Sequence, residues 1–217
     1  MADIEKKLTP VGKAMGKQMI RSWQIPQFAV ETEIDCEAMI AYRRSVGFKP
    51  SYTTILTKVV ADTVADFPVI RSSWAEDHLV LHGDIHIGIA VDTPRGLLVP
   101  VIHDVDKKSM EEVHAGMEEI KAGSAKGLYT TEQITGSVFT ISNLGIFNVD
   151  FFNAIVSSPE GAILAVSKMS EKPVVKNGQI VIGKTMRMAI SSDHRMIDGA
   201  TAAKFMTALA TRLESLA

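Results

Sequence analysis

Nine consecutive residues, Ser191-Ser192-Asp193-His194-Arg195-Met196-Ile197-Asp198-Gly199, concentrate ionisable and hydroxyl groups between a strand-like stretch and the final helical stretch. His194 is suited to general-base work there, because imidazole is the side chain whose ordinary pKa lies nearest neutral pH. The same spacing has a plainer explanation, with Asp198 as the N-cap of the last helix and His194 an ordinary polar loop residue. Asp198 can be cap and electrostatic partner together. A second candidate is Thr140-Ile141-Ser142-Asn143-Leu144-Gly145, which ends a strand in a hydroxyl and an amide beside glycine. Ser142 and Asn143 could donate to a developing oxyanion, or bond their own backbone in a turn. His78, His82 and His86 recur every four residues. On a helix that spacing would align metal ligands, but a Gly83-Asp84 turn interrupts it, so the three read as surface or cross-strand histidines and no metal is called for. Nucleotide and zinc-ribbon motifs (G-x-G-x-x-G, G-x-x-x-x-G-K-[ST], C-x-x-C) do not occur.

Those groups must be carried by a chain of 217 residues with 23 Lys+Arg against 25 Asp+Glu. So even a charge balance argues against a nucleic-acid binder. A hydrophobic content of 46% excludes disorder. No apolar run reaches the roughly 20 residues that span a bilayer, so no membrane embedding is expected. Met1–Lys7 carry charges of both signs where a secretory signal would be apolar. A single cysteine, Cys36, cannot close an internal disulfide, which suits the cytoplasm or a mitochondrial matrix.

The elements follow from capping and periodicity. Thr9-Pro10 opens a helix to about Trp23. Phe28 to Ile34 alternates as a half-buried strand, and a helix from about Glu37 to Val46 is closed by Gly47. Ile55, Leu56, Val59, Val60, Val64 and Phe67 form a long apolar stripe stopped by Pro68. Strands are expected at Leu79–Leu81 and Ile85–Val91, joined by a turn at Gly83-Asp84, and at Leu97–Ile102, where Pro100 indicates an edge position or a bulge. Ser109-Met110-Glu111-Glu112 is a capping box for a helix ended by Gly123. Further strands fall at Ser137–Ser142, Ala162–Ser167 and Met186–Ile190, with a hairpin at Asn177-Gly178. A last helix runs from about Gly199 to Leu216. This mixture without regular alternation or repeat predicts one α+β domain over 1–217, helices packed on a mixed sheet.

Taken together, the motifs resemble the catalytic domain of the dihydrolipoamide acyltransferases, the core components of 2-oxoacid dehydrogenase complexes. The likeness rests on Asp193-His194-Arg195-Met196-Ile197-Asp198-Gly199 for D-H-R-x-x-D-G and Phe139-Thr140-Ile141-Ser142-Asn143-Leu144-Gly145 for F-T-I-S-N-L-G. It extends to Thr93-Pro94-Arg95-Gly96-Leu97-Leu98-Val99-Pro100-Val101-Ile102 and to Pro159-Glu160 before Ala162–Val166, in the family's order over nearly the whole chain. The resemblance implies a chloramphenicol acetyltransferase-like fold and a homotrimer that assembles into a larger core. It implies a site between neighbouring subunits, where His194 of one chain meets Ser142 of the next. Coenzyme A and a lipoyl group carried on another domain would be the substrates, with lipoyl domains and dehydrogenase components as partners. Asp198 would orient the loop through an arginine, for which Arg21 is the candidate, and Asn143 would support the oxyanion loop.

Some positions depart from the family pattern. Gln27 stands where histidine usually follows Ile-Pro, the usual arginine of the first helix is replaced around Gly12-Lys13, and Asn148 stands where glycine is common. Arg21-Ser22-Trp23 resembles the pyruvate-type members, which favours acetyl as the acyl group. Lipoyl and subunit-binding domains are not in this sequence, so an excised core or a free-standing acyltransferase is expected. An O-acetyltransferase of the chloramphenicol type and a non-catalytic scaffold core are the alternatives. The apolar stretch Leu209–Ala217 would join trimers if exposed, or pack within its own chain.

Overall fold

The computed structural model describes residues 3–217, so Met1 and Ala2 of the expected 1–217 domain lie outside the described residues. In chain order the main elements are α1 (Pro10–Trp23), β1 (Gln27–Asp35), α2 (Glu37–Ser45), α3 (Tyr52–Asp66), β2 (Ser72–Ala75), β3 (His78–Leu81), β4 (Ile87–Ala90), β5 (Val101–Ile102), α4 (Met110–Ser124), β6 (Phe139–Asn143), β7 (Ala162–Lys176), β8 (Gln179–Asp193) and α5 (Gly199–Glu214). Caps set the helix starts, at Thr9 and Ser109 as expected and at Ser51 besides. Thr9 and Ser51 accept from the third backbone N–H of α1 and α3, and the Ser109–Glu112 capping box of α4 is complete.

Six strands form one mixed sheet in the order β1-β8-β7-β6-β4-β5, parallel at β4–β6 and β6–β7 and antiparallel elsewhere. One face carries Phe139 and Ile141 of β6, Leu164 of β7 and Met188 and Ile190 of β8, all fully buried beneath α3 and α5. Phe205 of α5 links the layers, edge-on to Phe67 at 5.7 Å and 5.9 Å from Phe139. The opposite face is covered thinly, by a small cluster of Ile25, Val156 and Ile163. Leu209 and Leu213 are fully buried, so this part of the C-terminal stretch packs within its own chain, while Leu216 stays half-buried.

Two strand expectations are corrected. β3 does not turn at Gly83-Asp84 to pair with β4; it pairs with β2 in a separate two-stranded sheet. The sequence of β2, Ser-Ser-Trp-Ala, has no alternation to announce it. Leu97–Ile102 pairs only at Val101–Ile102 and through the bridge Val91–Leu98, at the sheet edge where Pro100 costs no ladder bond. The pieces around Asn177-Gly178 fuse into two fifteen-residue strands, with a register shift between Val166 and Met169. Asn177 (φ 53°) and Gly178 (φ 75°) both adopt the left-handed region that a two-residue hairpin turn demands. Beyond Thr185, where pairing to β1 stops, this hairpin stands clear of the sheet.

Candidate active site

The turn after β8 is built to present His194. Asp193, 1% exposed, donates its N–H to Gly161 O at 2.9 Å, and the His194 N–H donates to Pro26 O at 2.8 Å. A Cβ on Gly161 would stand 2.9 Å from Ser72 O, so only glycine lets the start of β7 pass this close. Arg195 closes the turn from above. Its Nε and Nη2 donate to the Asp193 carboxylate at 3.0 and 2.6 Å, and its guanidinium lies 5.0 Å over the Trp74 ring. That is the use the fold makes of β2. The His194 side chain is left exposed, its ring 4.4 Å from the Phe28 ring of β1.

Asp198 is the N-cap of α5 and accepts from Thr201 N–H at 2.7 Å. That backbone donor holds its carboxyl below the usual carboxylate range. The expected Asp198–Arg21 pair does not form among the described residues, because the carboxylate is turned to the helix terminus. Arg21 instead lines a cavity of about 290 Å³ with Trp74, Asp193 and Arg195.

Ser142 lies near the end of β6, paired with Ala90 and Ala165, and half-buried. Thr140 and Ser142 alternate with Phe139 and Ile141, so they occupy the thinly covered face of the sheet. Asn143 ties the following loop down: its amide donates to Thr53 Oγ1 at 3.0 Å and its carbonyl accepts from Gly145 N–H at 2.7 Å. Within one chain Ser142 and His194 are not neighbours. The pairing Ser142–Ala165–Ala189 runs two strands across, and His194 comes five residues later, a separation on the order of 20 Å at 3.3 Å per residue and 4.8 Å per strand.

Gln27 does structural work in place of a histidine. It donates to Ser22 O at 3.1 Å and accepts from Val156 N–H at 2.9 Å, joining the end of α1 to the loop before β7. Asn148 accepts from Lys168 Nζ. The three spaced histidines have separate partners, Asp77, Ser73 and the Asp104 N–H. Asp84, His86 and Asp104 bring ligand atoms within 4.8 Å of one another, with Lys107 Nζ held at 2.9 and 2.8 Å from the two carboxylates. Cys36 is buried, which pushes its thiol up to about 12 and leaves it protonated.

One buried acid stands in a recognised motif block but had no role assigned to it from the sequence. Glu160, 4% exposed, accepts on Oε1 from Ser137 Oγ at 2.6 Å and Thr140 Oγ1 at 2.9 Å, while Oε2 has no partner. Burial pushes its pKa from about 4.5 up to about 7 against these two hydroxyls. Between those values the folded chain keeps a proton that the unfolded chain has released. Stability therefore falls as pH rises from about 4.5 to about 7 and levels off above, by about 3 kcal/mol from this group. Glu160→Gln, which does not titrate, is expected to gain several degrees of Tm relative to wild type between pH 4.5 and 7.5. Thermal unfolding of both proteins across that range checks it, and parallel curves would mean that Glu160 is ionised in the fold.

The sequence profile for the catalytic domain of the 2-oxoacid dehydrogenase acyltransferases matches residues 2–217. The chain belongs to that family. Among acyltransferase relatives, the dihydrolipoyllysine-residue acetyltransferase component of the pyruvate dehydrogenase complex of Cupriavidus necator is 35% identical over 93% of this chain and 38% of its own length. The lipoamide acyltransferase component of the branched-chain alpha-keto acid dehydrogenase complex of Bacillus subtilis is 33% identical over 99% and 53%. The chain spans about half the length of most curated relatives it matches. In structure it resembles the dihydrolipoamide acetyltransferase of Azotobacter vinelandii, with TM-score 0.94, 32% identity and coverage of 99% and 92%. That enzyme was studied for the roles of a serine, a histidine and an asparagine in its catalytic mechanism, and the three follow one another at the same intervals as Ser142, His194 and Asp198. The cubic core of a pyruvate dehydrogenase multienzyme complex aligns with TM-score 0.93, 32% identity and coverage of 99% and 92%. A chloramphenicol acetyltransferase shares the fold alone, with TM-score 0.62 and 13% identity over 98% and 99%.

Proposed function

We propose that this chain transfers an acetyl group between a dihydrolipoyl thiol and coenzyme A, as the catalytic core of a pyruvate dehydrogenase complex. The observation that carries this reading is the separation of Ser142 from His194. Two groups suited to one acyl transfer, in the family's motifs, lie on the order of 20 Å apart in one chain and come together only between copies. A homotrimer supplies that arrangement, with Ser142 on the thinly covered sheet face of one subunit and His194 projecting from the turn of the next. The likeness to a cubic core supports further assembly of such trimers. Lipoyl domains and dehydrogenase components are the partners such a core serves, in a cytoplasm or a mitochondrial matrix. Within the described residues no helix is long and apolar enough to cross a membrane.

His194 acts as general base. An alkyl thiol is mostly protonated at neutral pH, so the imidazole takes the coenzyme A thiol proton as sulfur attacks the thioester carbonyl carbon. Ser142 donates to the oxyanion of the tetrahedral intermediate, and Asn143 holds the Ser142 loop. Collapse breaks the bond to the dihydrolipoyl sulfur, which receives the proton from His194. One thioester replaces another, so the step is near thermoneutral and runs in both directions. Asp198, by capping α5, and the Asp193–Arg195 pair, by closing the turn, position the imidazole. Acetyl, over a branched acyl group, rests on Arg21-Ser22-Trp23 and on the acetyltransferases among the relatives.

Acetyl transfer from acetyl-coenzyme A to free dihydrolipoamide, run beside chloramphenicol as acceptor, tests the reading. Transfer to the dithiol alone is expected. Transfer to chloramphenicol instead would move the protein to O-acetylation. Transfer to neither by a folded oligomer would leave a scaffold core.

A further inference from the structure

The turn after β8 fixes the backbone of His194 and leaves its ring without a hydrogen bond inside the chain, among the described residues. The two carboxylates nearest in sequence are engaged elsewhere. Asp193 receives Arg195 on both oxygens, at 3.0 and 2.6 Å, and Asp198 Oδ1 accepts from the Thr201 N–H at 2.7 Å. A histidine that works as a base is ordinarily oriented by an acceptor on its second ring nitrogen. Without one, rotation about χ2 is soft, because that torsion has broad minima. A base that pivots is aligned with the thiol proton for only part of the time.

What the imidazole does touch is the ring of Phe28, with centroids 4.4 Å apart and planes inclined by 42°. The ladder between β1 and β8 creates that contact. Phe28 is paired with Ser192, and Gln27 with Asp193 is the last pair before the turn. The His194 N–H then donates to Pro26 O at 2.8 Å, so the register carries one residue further. Side chains alternate at period two, which puts Ser192 and His194 on one face and makes Phe28 and His194 diagonal neighbours across the strands. Phe28 is itself held, half-buried and packed with Val30 on the main core. A flat ring laid along the imidazole limits its pivot, where an aliphatic side chain would leave a gap.

We propose that Phe28 is a positioning residue for acyl transfer, its ring holding the His194 imidazole at the angle from which it takes the thiol proton. The inference rests on the reading of His194 as the base. The test measures steady-state acetyl transfer from acetyl-coenzyme A to dihydrolipoamide by the assembled protein. Phe28→Leu keeps apolar bulk and gives up the flat face, and is expected to lower kcat about tenfold with both KM values unchanged. Phe28→Tyr keeps the ring and is expected to stay within about threefold of wild type. In the His194→Ala background, Phe28→Leu is expected to leave the residual rate unchanged, because no imidazole remains to be held. Circular dichroism and sedimentation verify fold and assembly, and Phe28→Met takes the place of the leucine variant should that one fail to assemble. The proposal is overturned by wild-type turnover in Phe28→Leu, by a rise in KM at constant kcat, or by a tyrosine variant as slow as the leucine one. An equal loss in the His194→Ala background also overturns it, since that marks a structural role. Full activity of His194→Ala alone is a different failure, that of the base reading itself.

Discussion

His194→Ala is expected to lower the turnover of acetyl transfer to dihydrolipoamide by about 10²- to 10⁴-fold while the assembly stays intact. The turn is held by groups other than the imidazole: the His194 backbone N–H on Pro26 O, the Asp193 N–H on Gly161 O, and the Asp193–Arg195 pair. Alanine keeps all three and gives up only the contact with Phe28. A sharper expectation concerns pH. Once the base is gone, the only attacking species is thiolate that solution already provides, so the variant's rate should climb with pH across the measured range, in step with the thiolate fraction. Steady-state rates from pH 6.5 to 9 and sedimentation velocity on the same samples check both statements. A variant that is inactive because it no longer assembles would make His194 a structural residue.

The second expectation depends on where the two halves of the site reside. Ser142→Ala is expected to lower turnover by about 10²- to 10³-fold through loss of the oxyanion donor. Chains carrying His194→Ala and chains carrying Ser142→Ala, unfolded together and reassembled at equal amounts, should regain about a quarter of wild-type activity. A junction works only where an intact His194 from one chain faces an intact Ser142 from its neighbour, and random cyclic assembly makes that pairing at about one junction in four. Mixing the two variants after separate assembly should regain nothing. If co-assembly also regains nothing, both residues serve within one chain and the trimeric site is wrong.

What the sequence disclosed and what it withheld divide along the range of the interactions. Helices were legible because their signals are local: the Thr9 and Ser109 caps and the α3 stripe sit within a few residues of the structure they specify. The Asn177-Gly178 turn was legible for the same reason. β2 was not, since its four residues have no alternation and are fixed by pairing to β3 and by Arg195 stacking on Trp74. Ser142 and His194 were readable as motif residues, but the distance between them required the register of three strands. Glu160 stood in a recognised block, yet its partners in the core, Ser137 and Thr140, lie 23 and 20 residues earlier in the chain. The Arg21–Asp198 pair is not formed within the chain, where Asp198 Oδ1 accepts from the Thr201 N–H.

The hairpin that stands clear of the sheet exposes Val175, Ile180 and Ile182 on two unpaired edges, which is the geometry of an aggregation seed. Lysines police it. Lys172 is paired with Glu33 and Lys176 with Asp35 and Glu37 at 2.6 Å, mooring the arm to β1 and α2 by charge, while Lys184 with Glu171 at 3.2 Å ties its two strands to each other. Salt reaches such moorings before it reaches the core. The colloidal behaviour of this protein thus has its own dial: rising ionic strength loosens the arm, bares its tip to proteases at Asn177-Gly178 and invites strand-to-strand clumping, long before the fold that carries the chemistry gives way.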